Sequence, residues 1–133
     1  PPADLTMQLP SAGMVPVMSP VGIDREGFSL NVNADWAATN VAVALGVKRL
    51  FFLTDQNGIL GEDGELIAVA TRKDLSHLIE AEVVKGGMLT KTRAVLHALD
   101  GGIEEVVIAN ARKTGVLSEL LSGARVGTTC RLV

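Results

Sequence analysis

Residues 29–35 read SLNVNAD and place a hydrogen-bonding side chain at every second position, at Asn31, Asn33 and Asp35. Side chains two residues apart point to the same face of an extended chain, so the three groups are expected to lie side by side. They could hold a ligand, or Asn33 or Asp35 could cap the helix that the following hydrophobic segment predicts. Capping leaves Asn31 without a role, which favours a ligand contact for that residue.

A glycine pair precedes a lysine in the stretch VVKGGMLTK at 83–91. Adjacent glycines at a helix start let the backbone approach an anion closely, and Lys91, one turn inside the helix, adds a positive charge beside it. This pattern suits a phosphate group. The alternative is a helix stop followed by a new helix, with Lys91 as one more solvated lysine.

The stretch LTDQNGIL at 53–60 ends an apolar run with polar residues, and ligands gather at the carboxyl ends of strands in open α/β sheets. A turn at Asn57-Gly58 with positive φ angles explains the same residues, and for this stretch alone the turn is favoured. Together, however, acidic Asp35, cationic Lys91, a glycine-flanked helix start and a polar strand end are the elements of a phosphoryl-transfer site. The Walker signature G-x-x-x-x-G-K-[ST] does not occur in the chain.

The remaining reactive side chains favour structural roles. His77 and His97 fall inside predicted helices without metal-ligand spacing, so no metal site is predicted from protein side chains. Cys130 lies among apolar neighbours and is expected to be a small buried hydrophobe. A single cysteine cannot form an intramolecular disulfide and fits a reducing compartment.

Alternating strands and helices are expected to position these side chains. Hydrophobic periodicity and turn residues predict strands at 15–21, 28–33, 49–55, 104–110 and 126–133, and helices at 35–46, 71–84, 88–102 and 114–123. The strand at 49–55 is almost unbroken in its hydrophobicity, which is typical of a central parallel strand buried on both faces. Thr71 and Asp74 predict a capping box at the start of the second of these helices. The alternation predicts an α/β fold with a parallel or mixed sheet flanked by helices.

Composition limits the class of protein. With 133 residues and 47% hydrophobic residues, the chain is long and apolar enough for one compact domain. A net charge of -3 and 3% aromatic residues argue against nucleic-acid binding. Its apolar runs are too short to cross a membrane, and its first residues lack the order of a signal peptide, so we expect a cytoplasmic protein.

Three long stretches together resemble a known family. They are GMVPVMSPVGIDREGFSLNVNADWAATNVAVALGVKRLFFLTDQNGIL, VKGGMLTKTRAVLHALDGGIEEVVIAN and ELLSGARVGTTCRLV. In this order they resemble the C-terminal half of the acetylglutamate kinases, which are members of the amino acid kinase family. The resemblance covers nearly the whole chain from Gly13 onward, and LNVNAD is its most specific part.

The resemblance implies an open αβα sandwich with a mainly parallel sheet, and an ATP- and Mg²⁺-dependent transfer of the γ-phosphoryl group to the side-chain carboxylate of N-acetyl-L-glutamate in arginine biosynthesis. Asn31 then corresponds to a substrate contact with Asn33 beside it, Asp35 to the carboxylate that orients the catalytic lysines, and Lys91 to one of those lysines. The implied nucleotide contacts form two runs: Asp55, Gln56, Asn57, Gly58, Ile59 and Leu60, and then Val83, Val84, Lys85, Gly86, Gly87 and Met88.

The same resemblance predicts that residues 1–133 are a single domain, the nucleotide-binding half, and that the glycine-rich loop, the second catalytic lysine and part of the substrate site belong to an N-terminal half outside this chain. That half would be supplied by the same or a separate polypeptide, and the complete enzyme is expected to be a homo-oligomer. Two alternatives remain: a free-standing domain that binds nucleotide or a partner without catalysis, and a kinase of the same fold acting on carrier-linked aminoadipate.

Overall fold

The computed structural model describes the backbone of residues 3–133 and the side chains from residue 6 onward. The helices are α1 (Ala3–Ser11), α2 (Ala34–Leu45), α3 (Arg72–Glu80), α4 (Gly86–Asp100) and α5 (Val116–Leu121). The strands are β1 (Val21–Ile23), β2 (Ser29–Asn31), β3 (Arg49–Thr54), β4 (Val69–Thr71), β5 (Glu105–Asn110) and β6 (Thr128–Arg131).

Four of these strands form the main sheet, in the order β3-β5-β6-β4. Strand β5 is parallel to β3, and β6 is parallel to β4, whereas β5 and β6 are antiparallel. Strands β1 and β2 form a separate antiparallel pair. The main sheet is therefore mixed, with parallel pairing predominating, as predicted.

Helices cover both faces of this sheet. On β5, Val106 and Ile108 point into the larger core, which α2, α3 and α4 supply, while Val107 and Ala109 pack with Val116 of α5. Alternate residues of a strand point to opposite faces, so one buried strand separates two helical layers. The three-layer α/β arrangement confirms the predicted fold class.

Local signals explain where the helices begin and end. Thr71 and Asp74 form the predicted capping box of α3, and α2 ends at Gly46 in the left-handed conformation. One face of α4 is buried in the core, with Ala94 and Leu99 almost completely excluded from solvent. Helix α4 begins at Gly86, two residues before the predicted start.

Three strand predictions were wrong in detail. Residues 15–20 of the strand expected at 15–21 form no strand, and β1 begins only at Val21. Strand β2 is shorter than the expected 28–33, and β4 was not predicted. The cause is that apolar alternation indicates an extended conformation, but it does not indicate whether a partner strand is present.

Strand β3 was predicted to be central and lies instead at an edge of the sheet formed by the described residues. Only Phe52 of this strand is fully buried, and Leu53 is 43% exposed. Its apolar sequence is that of a strand covered on both sides. The side chains of β3 are therefore more hydrophobic than is expected of a strand at the edge of a sheet.

Two helices are shorter than their sequences predicted. Helix α3 ends at Glu80 because Glu82 adopts a φ of 54° and the Val83 N–H bonds to the Leu78 carbonyl. Helix α5 covers six residues, and its N-cap is Gly115 without a side-chain cap, so the predicted helix over 114–123 was too long. Among the described residues, no helix combines the length and hydrophobicity needed to span a bilayer.

Candidate functional site

An ion pair between α2 and α4 is the chemically most distinctive feature of the chain. The Lys91 ammonium donates to Asp35 Oδ1 at 2.6 Å. Both side chains are mostly buried, with 13% of the lysine and 21% of the aspartate exposed. A short, mostly buried hydrogen bond between an ammonium and a carboxylate fixes the position of the ammonium.

The start of α2 determines where Asp35 lies. The side-chain oxygen of Asn33 accepts hydrogen bonds from the backbone N–H groups of Asp35 and Trp36, at 3.0 and 3.2 Å. Asn33 is therefore the N-cap, and Asp35 lies in the first turn, where the helix dipole stabilises a carboxylate. The cap leaves the Asp35 carboxylate available for Lys91.

This ion pair lines one wall of an open cleft of about 600 Å³. The cleft collects residues from the start of α2, the end of β3 and the start of α4, namely Asp35, Thr54, Asp55, Gln56, Gly58, Leu60, Val83, Val84, Lys85, Gly87, Met88 and Lys91. All but Thr54 are residues that the sequence singled out. Residues far apart in the chain thus converge on a single cavity.

The start of α4 opens directly into the cleft. Lys85 is the N-cap and makes no side-chain cap hydrogen bond, and the space beside Gly86 and Gly87 is open where a Cβ would stand. N–H groups in the first turn of a helix lack intrahelical partners and favour anions. Lys85 at the mouth and Lys91 at the base add two positive charges to this wall.

The loop after β3 forms the opposite wall and is anchored to the neighbouring strands. Asn110 at the end of β5 donates to Asn57 Oδ1 at 2.8 Å, and the Ile59 N–H donates to Thr128 Oγ1 at 2.8 Å. Gly58 has a φ of 148°, and a Cβ there would lie 2.5 Å from Thr128 Oγ1. The position therefore requires glycine, and the loop has a fixed shape. Asn57 itself does not adopt the positive φ angle that a simple turn would give it.

Five of the predicted site residues do not line the cleft. The Ile59 side chain is fully buried in the core, Asn57 bonds to Asn110, and Gly86 is exposed next to the cleft-lining Lys85 and Gly87. Asn33 uses its side-chain oxygen as a cap, and Asn31 lies exposed at the end of β2, opposite Val21. The proposed substrate contacts at these two asparagines stay predictions.

Two residues of the site escaped the sequence analysis. Thr54 lines the cleft and donates to Asp55 Oδ1 at 3.3 Å. The Phe52 ring lies beneath the ammonium of Lys91, whose Nζ is 5.0 Å from the ring centroid. Thr54 precedes a polar strand end and could have been included on that ground. Nothing in the local sequence connects Phe52 with a lysine so far along the chain.

The other reactive side chains of the chain lie outside the cleft. Burial raises the pKa of the Cys130 thiol to about 12, which is consistent with the predicted buried hydrophobe. His77 is exposed, 3.7 Å from Glu62, and His97 packs against Trp36 at 5.3 Å between ring centroids. Among the side chains that the structure describes, from residue 6 onward, no group of three or more His, Cys, Asp or Glu could hold a metal ion.

Comparison with known proteins connects this chain with one family. The model of the amino acid kinase family matches residues 3–110. Acetylglutamate kinase of Oleidesulfovibrio alaskensis is 44% identical over 117 residues, which are 87% of this chain and 40% of that protein. Acetylglutamate kinase of Geobacillus kaustophilus is 46% identical over 110 residues, 83% of this chain and 42% of that protein.

A solved structure agrees with this relationship. The structure of N-acetylglutamate synthase from Neisseria gonorrhoeae, complexed with coenzyme A and L-arginine, aligns with a TM-score of 0.88 and 30% identity over 98% of this chain and 30% of that one. The chain spans about two fifths of the length of the curated relatives it matches. Because the family model covers most of its residues, the chain belongs to the amino acid kinase family.

Proposed function

We propose that this chain is the nucleotide-binding half of an acetylglutamate kinase, which transfers the γ-phosphoryl group of ATP to the side-chain carboxylate of N-acetyl-L-glutamate. The observation that carries the proposal is the Lys91–Asp35 pair, 2.6 Å apart, in a cleft that the start of α4 and Lys85 also line. The identity of more than 40% to two acetylglutamate kinases supports the choice of substrate.

The reaction itself requires charge stabilisation more than covalent chemistry. A carboxylate oxygen of the substrate forms a new bond to the γ-phosphorus while the bond to the β-phosphate oxygen breaks, giving an acyl phosphate and ADP. Negative charge spreads over the equatorial oxygens of the transferring group. We assign the neutralisation of this charge to Lys91, whose ammonium Asp35 would hold in position without reacting.

Nucleotide binding is assigned to the two walls of the cleft. The start of α4, with Gly87 and the Lys85 charge, would receive phosphate groups, and the loop from Asp55 to Leu60 would contact the rest of the nucleotide. The only carboxylates in the cleft lining are Asp35 and Asp55, which is too few for an all-protein magnesium cage. That donor set fits Mg²⁺ held mainly by the nucleotide phosphates, where the ion would neutralise phosphate charge.

The substrate side of the proposal needs the remainder of the enzyme. Asn31, exposed at the end of β2, is the residue of this chain that we assign to the acetylglutamate molecule. The N-terminal half would complete the substrate site and supply a second catalytic lysine. We therefore propose that the active species is the complete polypeptide, or a complex of two halves, in a homo-oligomer.

A hydroxylamine assay of the complete polypeptide tests this function. With ATP, Mg²⁺ and N-acetyl-L-glutamate, the wild-type protein is expected to form an acyl phosphate that hydroxylamine traps. Lys91→Met should lower kcat by about 100- to 1,000-fold and change the KM for ATP far less, because the charge acts mainly in the transition state.

Lys48→Met is the matched control, since Lys48 is highly exposed and pairs with Glu104 on the surface. Thermal unfolding of both variants would separate misfolding from loss of chemistry. Unchanged turnover in Lys91→Met would remove this lysine from the mechanism.

The second candidate is a domain that binds nucleotide or a partner without catalysis. The match to the N-acetylglutamate synthase structure is the reason to keep this candidate, because that protein carries the same fold over 30% of its chain and is not named a kinase, so the fold alone does not imply phosphoryl transfer. ATP binding by a complete polypeptide that forms no hydroxamate would support this candidate instead.

A further inference from the structure

Two adjacent phenylalanines of β3 each lie beneath a cation, on opposite faces of the sheet. Phe51 faces the α5 layer and lies under the guanidinium of Arg49, 4.8 Å from the ring centroid. Phe52 faces the α2 and α4 layer and lies under the ammonium of Lys91, at 5.0 Å. Only the second cation belongs to the candidate site.

The ammonium of Lys91 is therefore restrained by two other elements of the fold. Asp35 of α2 accepts its hydrogen bond from one side, and the Phe52 ring of β3 lies on another. Phe52 is 5% exposed, so its ring cannot move away without opening the core. A cation over the face of an aromatic ring is attracted by the ring quadrupole, and more strongly where water is excluded.

We propose that Phe52 is a positioning residue that holds the Lys91 ammonium at the base of the cleft through its aromatic face. The consequence for catalysis rests on the function proposed above. The structural consequence, a restrained and shielded ammonium, does not depend on that function.

The chemistry of the two restraints explains why both are useful. A lysine ammonium has three N–H donors and no acceptor, and Asp35 takes one of them. A second carboxylate would take another donor and compete with a phosphoryl group for the charge. The ring face attracts the cation by its π electrons, so it fixes the ammonium while N–H donors stay available for phosphate oxygens.

Stepwise fluorination of the ring tests the proposal, because each fluorine weakens the quadrupole with little change of size. Phenylalanine analogues with one to three ring fluorines would be incorporated at position 52 of the complete polypeptide. We expect kcat for hydroxamate formation to fall with each fluorine, by about fivefold in total, with the KM for ATP unchanged. The same series at position 51 is the matched control, since that ring also lies under a cation but faces away from the cleft.

Amine labelling gives a second readout that is independent of activity. In the complete polypeptide without substrates, the acetylation rate of Lys91 by an activated ester would be measured by mass spectrometry relative to exposed Lys48. Fluorination at position 52 is expected to raise this ratio, and fluorination at position 51 should leave it unchanged.

The outcomes separate the two proposals. A wild-type protein without hydroxamate formation contradicts the proposed function, and the labelling ratio still tests Phe52. If the wild-type protein is active but fluorination at position 52 changes neither kcat nor the labelling ratio, the proposed role of Phe52 is overturned. Equal effects at positions 51 and 52 also overturn it, because they would indicate a general loss of packing.

Discussion

At the scale of single residues, the structure decides between Asn33 and Asp35 as the cap of α2, a role that the sequence left open between them. The Asn33 side chain accepts from two backbone N–H groups at the start of α2, and the Asp35 carboxylate accepts from Lys91. A residue at the N-cap can accept hydrogen bonds from backbone donors of the first turn, whereas the side chain two residues later can reach a neighbouring helix. The cap thus places the carboxylate that orients the lysine.

Replacement of Asn33 distinguishes a cap from a ligand contact. Asn33→Ala is expected to lower the free energy of unfolding by about 1 kcal/mol, and Asn33→Asp should retain most of it, because Asp is an equally good cap. Urea denaturation of the chain would measure both changes. Asn31→Ala is the control and is expected to stay within about 0.5 kcal/mol. Equal stability of Asn33→Ala and wild type would show that the cap contributes nothing and would return Asn33 to the list of ligand contacts.

The site could be predicted from the sequence where the signal is local. Asp35, Lys91 and the glycine pair were found because they stand at recognisable helix starts. The other cleft residues in the runs 55–60 and 83–88 were named as nucleotide contacts through the family resemblance, and the two sources together named 11 of the 12 residues that line the cleft. Phe52 was missed because its role depends on Lys91, which lies in a different element and meets it only in the folded chain. Contacts between distant elements depend on the order of the strands in the sheet, and the hydrophobic periodicity of the sequence does not predict that order.

At the scale of elements, α3 and α4 are joined end to end by charged groups. Arg72 at the start of α3 donates two hydrogen bonds to Asp100 at the end of α4, at 2.6 and 3.0 Å. The hydrogen bonds from Arg72 lower the pKa of the Asp100 carboxyl, and those from Thr71 lower the pKa of Asp74 in the capping box. Both carboxylates are more acidic in the folded chain than in the unfolded one.

These lowered pKa values predict a loss of stability in acid. The unfolded chain binds more protons than the folded one near and below the usual carboxyl pKa of about 3.9, so the unfolding free energy falls as the pH falls through that range. Urea midpoints at pH 7 and pH 3 would measure the difference. Asp100→Asn is expected to reduce this difference in stability between the two pH values. Arg72→Gln, which removes the partner of the carboxylate, is expected to reduce it as well.

The double variant should reduce the pH dependence no further than either single change, since both remove the same interaction. An unchanged pH dependence in Asp100→Asn would show that the Arg72 contact does not shift this carboxyl group.

The helices were predicted more accurately than the strands, and the reason is physical. Helix α4 and the capping box of α3 were recognised because they rest on contacts within about four residues of the chain. Strand β4, with three residues, is too short to show alternation. The prediction that β3 is a central strand was wrong, because its hydrophobic sequence is typical of a strand with neighbours along both edges. Among the described residues, β3 has a neighbouring strand, β5, along one edge only.

A glycine before β6 makes the close packing of β5 and β6 possible. Gly127 has a φ of 74°, and a Cβ there would collide with the backbone carbonyl of Ile108. Gly123 has a similar φ of 84° but open space beside it, so Gly123→Ala measures the backbone cost alone, about 1 kcal/mol. Gly127→Ala is expected to cost at least about 2 kcal/mol more in urea denaturation, because the strand must move. Equal costs for the two variants would mean that β6 adjusts freely.

At the scale of the whole molecule, the segment from residue 14 to residue 30 is unusually apolar for a surface. Its exposed hydrophobic side chains are Met14, Val15, Val17, Met18, Val21, Ile23, Phe28 and Leu30. A mostly apolar groove of about 570 Å³ lies between Met18–Pro20, α2 and Leu50 of β3. Large exposed apolar surfaces mark places where another chain or domain packs. This surface supports the proposal that the remainder of a longer kinase covers it.

The chain on its own is therefore expected to associate through this segment and to form no acyl phosphate. Replacing Val17, Ile23 and Phe28 together by serine should shift it towards monomer in sedimentation velocity at micromolar concentration, because 70% or more of each side chain is exposed. These three positions contribute little to the core, so the thermal midpoint should change by only a few degrees. The control replaces Leu117, Leu121 and Val133, which are also exposed but lie in the C-terminal part of the chain. If association persists in the Val17, Ile23 and Phe28 variant and disappears in the control, the associating surface lies on the α5 side. That result would contradict the proposed contact with an N-terminal half.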